Sequence, residues 1–337
     1  MSQAVIYVQH LSKRYEYYKK APGLLASVKS IFHREKLFTD AVKNVSFQID
    51  TGELVGFLGP NGAGKTTTLK ILSGILYPTS GEVQVLGYTP WERKPVFQKQ
   101  FSLVMGQKNQ LWWDLPAMET FILNKEIYEI PQKLFDRTVN ELGQLLDIID
   151  ILEVPVRKLS LGQRMKCELA AALLHQPKVL FLDEPTIGLD VTSQQNIRNF
   201  IKRYNKEKQT TIVLTSHYMD DIVELCKRVI IIDLGSIVYD GSLAELIDRH
   251  ADYKLLKITF TEDVSKERLQ AFGKVNDYTP KSVVLHVPKT SYKSLATKAL
   301  KDLPVDDILI DEVELEEVIR DIFAATKEEK RTSISYE

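Results

Sequence analysis

The sequence predicts an α/β phosphate-loop protein with an antiparallel β subdomain, an inserted helical subdomain and a small α+β domain at its C-terminal end. Three observations carry that prediction. The stretch Gly59-Pro60-Asn61-Gly62-Ala63-Gly64-Lys65-Thr66 fits the pattern Gly, four residues, Gly-Lys-Ser/Thr, and it stands between an apolar run of strand length, Glu53–Leu58, and a helical run, Thr67–Leu72. The apolar run Val179–Leu182 delivers Asp183-Glu184 at its end, and in open α/β sheets the carboxyl ends of the strands face the ligand crevice. After about residue 247 the pattern changes to short strands and helices in the order β-α-β-β-α-β, compatible with a small ferredoxin-like layer domain.

Taken in order, Ala4–Val8 reads as a first strand. Ala41–Ile49 alternates apolar and polar residues and suits a half-exposed antiparallel strand. Between them lies an insert, residues 16–40, in which Leu24, Leu25, Val28, Ile31 and Phe32 recur at helical spacing beside Lys19, Lys20, Lys29, Arg34 and Lys36. Two readings of it stand open: a surface helix packed on its own domain, or one that touches a membrane surface or a membrane partner. Gly81–Gly87 reads as a strand closed by glycine turns, and Phe101–Gln107 as a strand ending in a polar residue. Residues 117–152 carry apolar positions at helical period, which places a helical subdomain at about 108–176, inserted into the α/β core. Leu159-Ser160-Leu161-Gly162-Gln163 opens a further helix that Pro177 ends. Thr211–Ser216 repeats the buried-strand pattern and delivers His217, and a hairpin turning at Leu234-Gly235 closes a first domain expected over 1–246.

The second domain, expected over 247–326, contains strand Lys254–Phe260, helix 264–272, a weak strand at 274–279, strand Ser282–Val287, helix 290–302 and strand Asp307–Asp311. An amphipathic helix with Leu315, Val318, Ile319, Ile322 and Phe323 follows, and the polar tail 327–337 is expected to be disordered.

Composition narrows the partners. Lys and Arg number 44 against 45 Asp and Glu, so no basic excess points to nucleic acid, and no nucleic-acid partner is expected. Cys167 and Cys226 lie in apolar segments without metal-ligand spacing and read as buried free thiols. No apolar run approaches the ~18 residues that span a bilayer, and the first residues lack a signal-peptide core. Any membrane contact is therefore expected to be peripheral.

The loop chemistry is that of phosphate binding. Glycines let the backbone curl around anionic oxygens, and the amides and positive dipole end of the following helix point at them. Lys65 adds a point charge for the terminal phosphates, and the Thr66 hydroxyl is a candidate ligand for magnesium.

The ordered set of Gly59–Thr66, Gln107, Leu159–Gln163, Leu182-Asp183-Glu184-Pro185, Gly188-Leu189-Asp190 and His217 resembles the ATP-binding subunit of ABC transporters over about residues 1–245. The C-terminal domain and Gly106–Asp114 look most like the ATPases that serve export-type permeases. The resemblance implies ATP and magnesium as ligands, with Gly59, Pro60, Asn61, Gly62, Ala63, Gly64, Lys65, Thr66 and Thr67 around the phosphates. Thr66, Gln107 and Asp183 would hold the metal, and Glu184 would act as general base. His217 would contact the γ-phosphate. Tyr15 resembles the aromatic that stacks on adenine, although the insert leaves Tyr17 or Tyr18 open. Ser160, Gly162 and Gln163 form the signature segment, in which Leu161 replaces the usual first glycine and is expected to point away from nucleotide. Asp190 marks the segment that follows the acidic strand end.

In the family the signature of one protomer completes the site of another, which implies a homodimer. The resemblance also implies a separate transmembrane permease, energised for export from the cytoplasmic face of the inner or plasma membrane. Trp112 and Trp113 are either core residues or an anchor for that permease. A soluble ABC-type ATPase acting on ribosomes or DNA is the alternative reading, although such proteins usually carry two cassettes, coiled coils or zinc cysteines, none of which this sequence shows.

Overall fold

Strands β1 (Ala4–Tyr18), β2 (Lys36–Asp50) and β4 (Ser80–Val85) form an antiparallel sheet in the order β2-β1-β4. The computed structural model describes residues 4–18, 36–106, 108–250, 253–313, 315–320 and 322–323. Within that range β1 runs well past Val8, and Tyr15 pairs with Thr39, Tyr17 with Leu37 and Tyr18 with Lys36. Residues 16–18 and 36–40, expected in the insert, are therefore paired strand. β-Branched and aromatic residues facing one another across the pair favour this continuation. The helix expected over Leu24–Phe32 lies outside the described residues, as does the tail 327–337.

The central sheet has the order β5-β6-β7-β3-β8-β9, built from β3 (Leu54–Leu58), β5 (Phe101–Met105), β6 (Val179–Asp183), β7 (Thr211–Thr215), β8 (Arg228–Asp233) and β9 (Ser236–Ser242). The pairs β5–β6, β6–β7, β7–β3 and β3–β8 are parallel. Parallel strands are covered on both faces, which is why Leu54–Leu58 and Val179–Leu182 read as unbroken apolar runs and are buried throughout. Burial of a large side chain such as Phe57 or Phe181 contributes about 2 kcal/mol. The β8–β9 turn uses Leu234 at φ 48° and Gly235 at φ 86°, the doubly left-handed turn that matches strand twist.

Helices Ala117–Ile127, Gln132–Leu146 and Leu161–Leu173 form the helical subdomain. Phe135, Thr138, Leu142 and Leu146 mark the buried stripe of the second of these, three to four residues apart. The chain divides into two compact units, Met1–Gly241 and Ser242–Glu337, so the boundary expected at 246/247 falls at 241/242.

The second unit contains helix Leu243–His250, β10 (Tyr253–Phe260), β11 (Lys274–Thr279), β12 (Ser282–Pro288) and β13 (Val305–Asp311), with helices Lys266–Leu269 and Tyr292–Asp302. Its antiparallel sheet has the order β11-β12-β10-β13, which gives the expected β-α-β-β-α-β arrangement. The helix expected over 264–272 covers only Lys266–Leu269. Val283, Leu285 and Val287 alternate inward along β12 against Leu256, Ile258 and Ala299. Among the described residues no helix is long and apolar enough to cross a membrane.

Candidate functional site

The phosphate loop leaves β3 at Leu58 and enters the helix Lys65–Leu72. Gly64, immediately before the helix, has φ 111°, and a Cβ there would stand 2.4 Å from the Ala41 carbonyl oxygen, so no other residue fits this corner. The Lys65 ammonium turns back into the loop and donates to the carbonyls of Gly59 at 2.6 Å and Pro60 at 3.2 Å. Burial lowers its pKa, while Glu184 and Asp183 work against that shift. Ala41, Asn61–Thr67 and Glu184 line a cleft of about 250 Å³, and a neighbouring one of about 200 Å³ is lined by Thr66, Lys70, Met105, Lys108, Asp183 and Glu184. A larger cleft, about 700 Å³, lies between Tyr7, Lys178 and Tyr204 and contains none of these groups.

The acidic pair arrives from the neighbouring part of the sheet. The Thr66 hydroxyl donates to Asp183 Oδ2 at 2.9 Å, and the Thr215 hydroxyl donates to Asp183 Oδ1 at 2.7 Å. Glu184 sits in the left-handed region at φ 57°, and its N–H is shared between the Thr215 carbonyl and hydroxyl at 3.0 and 3.1 Å. Its Oε1 lies 2.7 Å from His217 Nε2. A Cβ at Gly106 would lie 2.0 Å from the Glu184 carbonyl oxygen, so the chain leaving β5 needs a glycine where it passes this turn. Gln107, the next residue, lies outside the described residues.

The donor set fits magnesium. Thr66 Oγ1 and the Asp183 carboxylate are hard oxygen donors already converging on each other, and one carboxylate plus one hydroxyl leaves room for water and phosphate oxygens in an octahedral shell. Among the described residues no cluster of three or more His, Cys, Asp or Glu could hold a metal by itself.

Ser160, Gly162, Gln163 and Asp190 line neither of the two phosphate-side clefts. Ser160 instead caps the helix Leu161–Leu173 in a reciprocal box: Gln163 N–H donates to Ser160 Oγ at 3.2 Å, and Ser160 N–H to Gln163 Oε1 at 3.0 Å. Asp190 caps the helix Val191–Lys208 through the Ser193 N–H at 2.9 Å and hydroxyl at 2.6 Å, bonds that hold its pKa low. Gly162 joins these two helix starts, since a Cβ on it would stand 2.4 Å from Ser193 Oγ. Leu161 is exposed and approaches Gly188.

Tyr15 stands on the exposed end of β1 with Lys13 Nζ 5.2 Å from its ring centroid. Alternation puts Tyr15 and Tyr17 on one face, and Tyr18 on the other, where its hydroxyl donates to Glu16. Thr39, opposite Tyr15, stands two residues before Ala41, which lies at a break in the β1–β2 register and lines the phosphate-side cleft. Trp112 and Trp113 are 51% and 48% exposed, with the Arg164 guanidinium 5.4 Å from the Trp113 ring centroid, which overturns the reading of both as core. Sequence reasoning missed Thr186, Arg198, Ser216 and Asp221, which form one buried polar cluster beside Glu184 and His217. The available signal was Asp221 sharing the buried face of its helix with Ile222 and Leu225.

Fold and cluster together define a phosphate-loop ATPase cassette. A family profile described as ABC transporter matches residues 42–187, and one described as EvrA-like ABC transporter, C-terminal domain, matches residues 252–311. The ABC transporter ATP-binding protein NatA of Bacillus subtilis (strain 168) is 33% identical over 217 residues, 64% of this chain and 88% of that protein. The linearmycin resistance ATP-binding protein LnrL of the same organism is 29% identical over 248 residues, 73% and 79% of the two chains. A solved ATP-binding subunit of an ABC transporter shares the fold at TM-score 0.60 and 23% identity, covering 73% of this chain and 92% of that one. The chain belongs to the ATP-binding proteins of ABC transporters. It is an ATPase subunit that energises transport.

Proposed function

We propose that this chain drives export through a separate membrane permease, working as a head-to-tail homodimer in which each phosphate loop meets the signature segment of the other copy. The observation that carries the proposal is that Lys65, Thr66 and Glu184 line one cleft, with Asp183 bonded to Thr66 and His217 lying 2.7 Å from Glu184, while Ser160 and Gly162 stay out of it. One chain alone holds half a site. ATP would lie with its phosphates on the amides of residues 59–67 and its base on Tyr15, whose strand partner Thr39 stands two residues before Ala41 at the cleft.

Thr66 and Asp183 would hold magnesium, with Gln107 completing the set, and the bound ion would neutralise charge on the phosphate oxygens. Lys65 would leave the Gly59 and Pro60 carbonyls for the terminal phosphates. Glu184 takes the proton of the attacking water, and His217 fixes the orientation of the Glu184 carboxylate and reaches the γ-phosphate. Asp190 lies at the start of the helix that Gly162 touches, so the second copy would feel both together.

Support for export comes from LnrL, a resistance protein by name, and from the resemblance of the C-terminal domain. Trp112 and Trp113 offer adjacent exposed indoles beside the helical subdomain and are proposed as the permease anchor. The chain would then work at the cytoplasmic face of the membrane, held peripherally. Co-purification from detergent-solubilised membranes tests this: a multi-span membrane protein is expected with the chain, and recovery with ribosomes or DNA instead would overturn it.

A further inference from the structure

Three separate segments of the first unit meet on one fully buried carboxylate, Asp221, in the short helix Met219–Leu225. The Thr186 hydroxyl donates to Asp221 Oδ2 at 2.5 Å, the Ser216 hydroxyl donates to the same oxygen at 2.5 Å, and Arg198 Nη1 donates to Oδ1 at 2.9 Å. All four residues are buried, and the Arg198 side chain is 4% exposed against 1% for Asp221. Arg198 is itself steered from its own helix by Gln195, whose Oε1 accepts from Nη2 at 2.8 Å.

The addresses of these partners matter more than their number. Thr186 stands two residues after Glu184, Ser216 stands immediately before His217, and Arg198 belongs to the helix that Asp190 caps. One carboxylate therefore ties together the turn of the base, the loop of the histidine and the helix behind the signature contact. A buried ion pair is weak evidence for stability, because desolvation offsets the attraction, and its best-attested use is to specify one geometry. Glu184 needs such a constraint. A non-glycine residue in the left-handed region is strained and persists only where its surroundings over-determine it. From the N-terminal side the Thr215 bonds supply that constraint, and from the C-terminal side Thr186 supplies it through Asp221.

We propose that Asp221 is a positioning residue for ATP hydrolysis, setting the register between the Glu184 turn and the His217 loop without touching nucleotide. The assignment rests on Glu184 as the base. If the Thr186 anchor is lost, the Glu184 turn is free to leave its strained conformation, and the 2.7 Å approach of Glu184 to His217 is no longer enforced. Binding of the phosphates, which depends on the loop 59–67, is untouched.

The test compares the full-length wild type with T186V, T186S, S216A and E184Q, measuring kcat and KM for ATP with magnesium, equilibrium nucleotide affinity and Tm. Thr186→Val removes one hydroxyl at nearly constant volume. T186V and S216A are each expected to lower kcat on the order of tenfold, the loss of one hydrogen bond to a charged group, with KM and affinity held within about twofold. T186S, which restores the hydroxyl, is expected to recover most of the turnover. Should T186V fail to fold, S216A carries the same comparison with Thr186 left in place. Wild-type kcat in the folded variants, or turnover and affinity falling in parallel, overturns the assignment. Wild-type turnover in E184Q instead removes the base on which it rests, so the two failures are distinguishable.

Discussion

Replacing Glu168 by Gln is expected to stabilise the protein above neutral pH and to abolish a pH dependence that the wild type carries. Glu168 lies in the middle of the helix Leu161–Leu173, 2% exposed, with no hydrogen-bond partner for Oε2 among the described residues. Burial pushes its pKa from 4.5 up to about 7, against the opposing pull of the Gln110 backbone N–H and the Arg164 charge. The folded value exceeds the unfolded one, so the contribution to stability is complete below about pH 4.5, declines as pH rises and is lost above about pH 7. At about 1.4 kcal/mol per pH unit the difference between 4.5 and about 7 amounts to about 3 kcal/mol. Gln keeps the shape and an acceptor for Gln110 and never ionises. His175, whose pKa burial holds low, acts in the opposite sense: the stability it contributes is complete above its unfolded value near 6.5 and is lost as pH falls from there through its lower folded value. It is common to both proteins and cancels in the difference. Urea unfolding of wild type and E168Q across roughly pH 5 to pH 8 reads the effect, and the stability difference should grow in favour of E168Q by about 2–3 kcal/mol. A difference that stays flat with pH, or an E168Q protein less stable than wild type at the alkaline end, refutes the reasoning.

Glu184→Gln should keep nucleotide affinity and lose most steady-state hydrolysis, because the amide preserves shape and removes the carboxylate proposed as the base; binding and turnover on one preparation show whether they separate. Lys65→Ala should weaken nucleotide binding itself, measured by titration calorimetry, because it removes the charge facing the phosphates. Trp112→Ala and Trp113→Ala should leave the ATPase activity of the isolated chain intact while reducing permease association. The second change also costs about 0.5–1 kcal/mol in Tm-monitored stability through the lost Arg164 contact. A chain ending at Gly241 should fold and bind ATP, since every phosphate-side residue lies before that point; a soluble, folded truncation with no nucleotide affinity would contradict the division of labour between the two units.

What could be read in advance follows from how local each signal is. The phosphate loop, the strand-end acids and the signature helix start are written in contiguous residues with fixed backbone demands, so Gly64, Asp183 and Ser160 take the positions their neighbours specify. The strands β6 and β7 were equally plain, because burial on both faces leaves unbroken apolar runs. The β1–β2 pairing beyond Arg14 was not, since it depends on a partner 18 to 24 residues away and on cross-strand contacts such as the bidentate Arg14–Asp40 pair. The Asp221 cluster stayed hidden for a related reason. Thr186, Arg198, Ser216 and Asp221 are common polar types with no spacing rule, and only the fold brings them to one point. Trp112 and Trp113 were undecided between core and surface, because adjacent indoles carry no periodicity; their exposure resolves it.

The head-to-tail site is tested most directly by complementation between two inactive chains. Lys65→Ala spoils the phosphate loop and leaves the signature intact, whereas Ser160→Arg spoils the signature and leaves the loop intact, at a cap cost of about 1 kcal/mol. Each variant alone should bind or present its intact half and hydrolyse almost no ATP. Mixed in equal amounts, they should regain activity, because one site in each mixed dimer joins an intact loop to an intact signature. If two folded variants, with nucleotide binding preserved in Ser160→Arg, stay inactive when mixed, or if Ser160→Arg alone turns over at the wild-type rate, the site is not shared between copies.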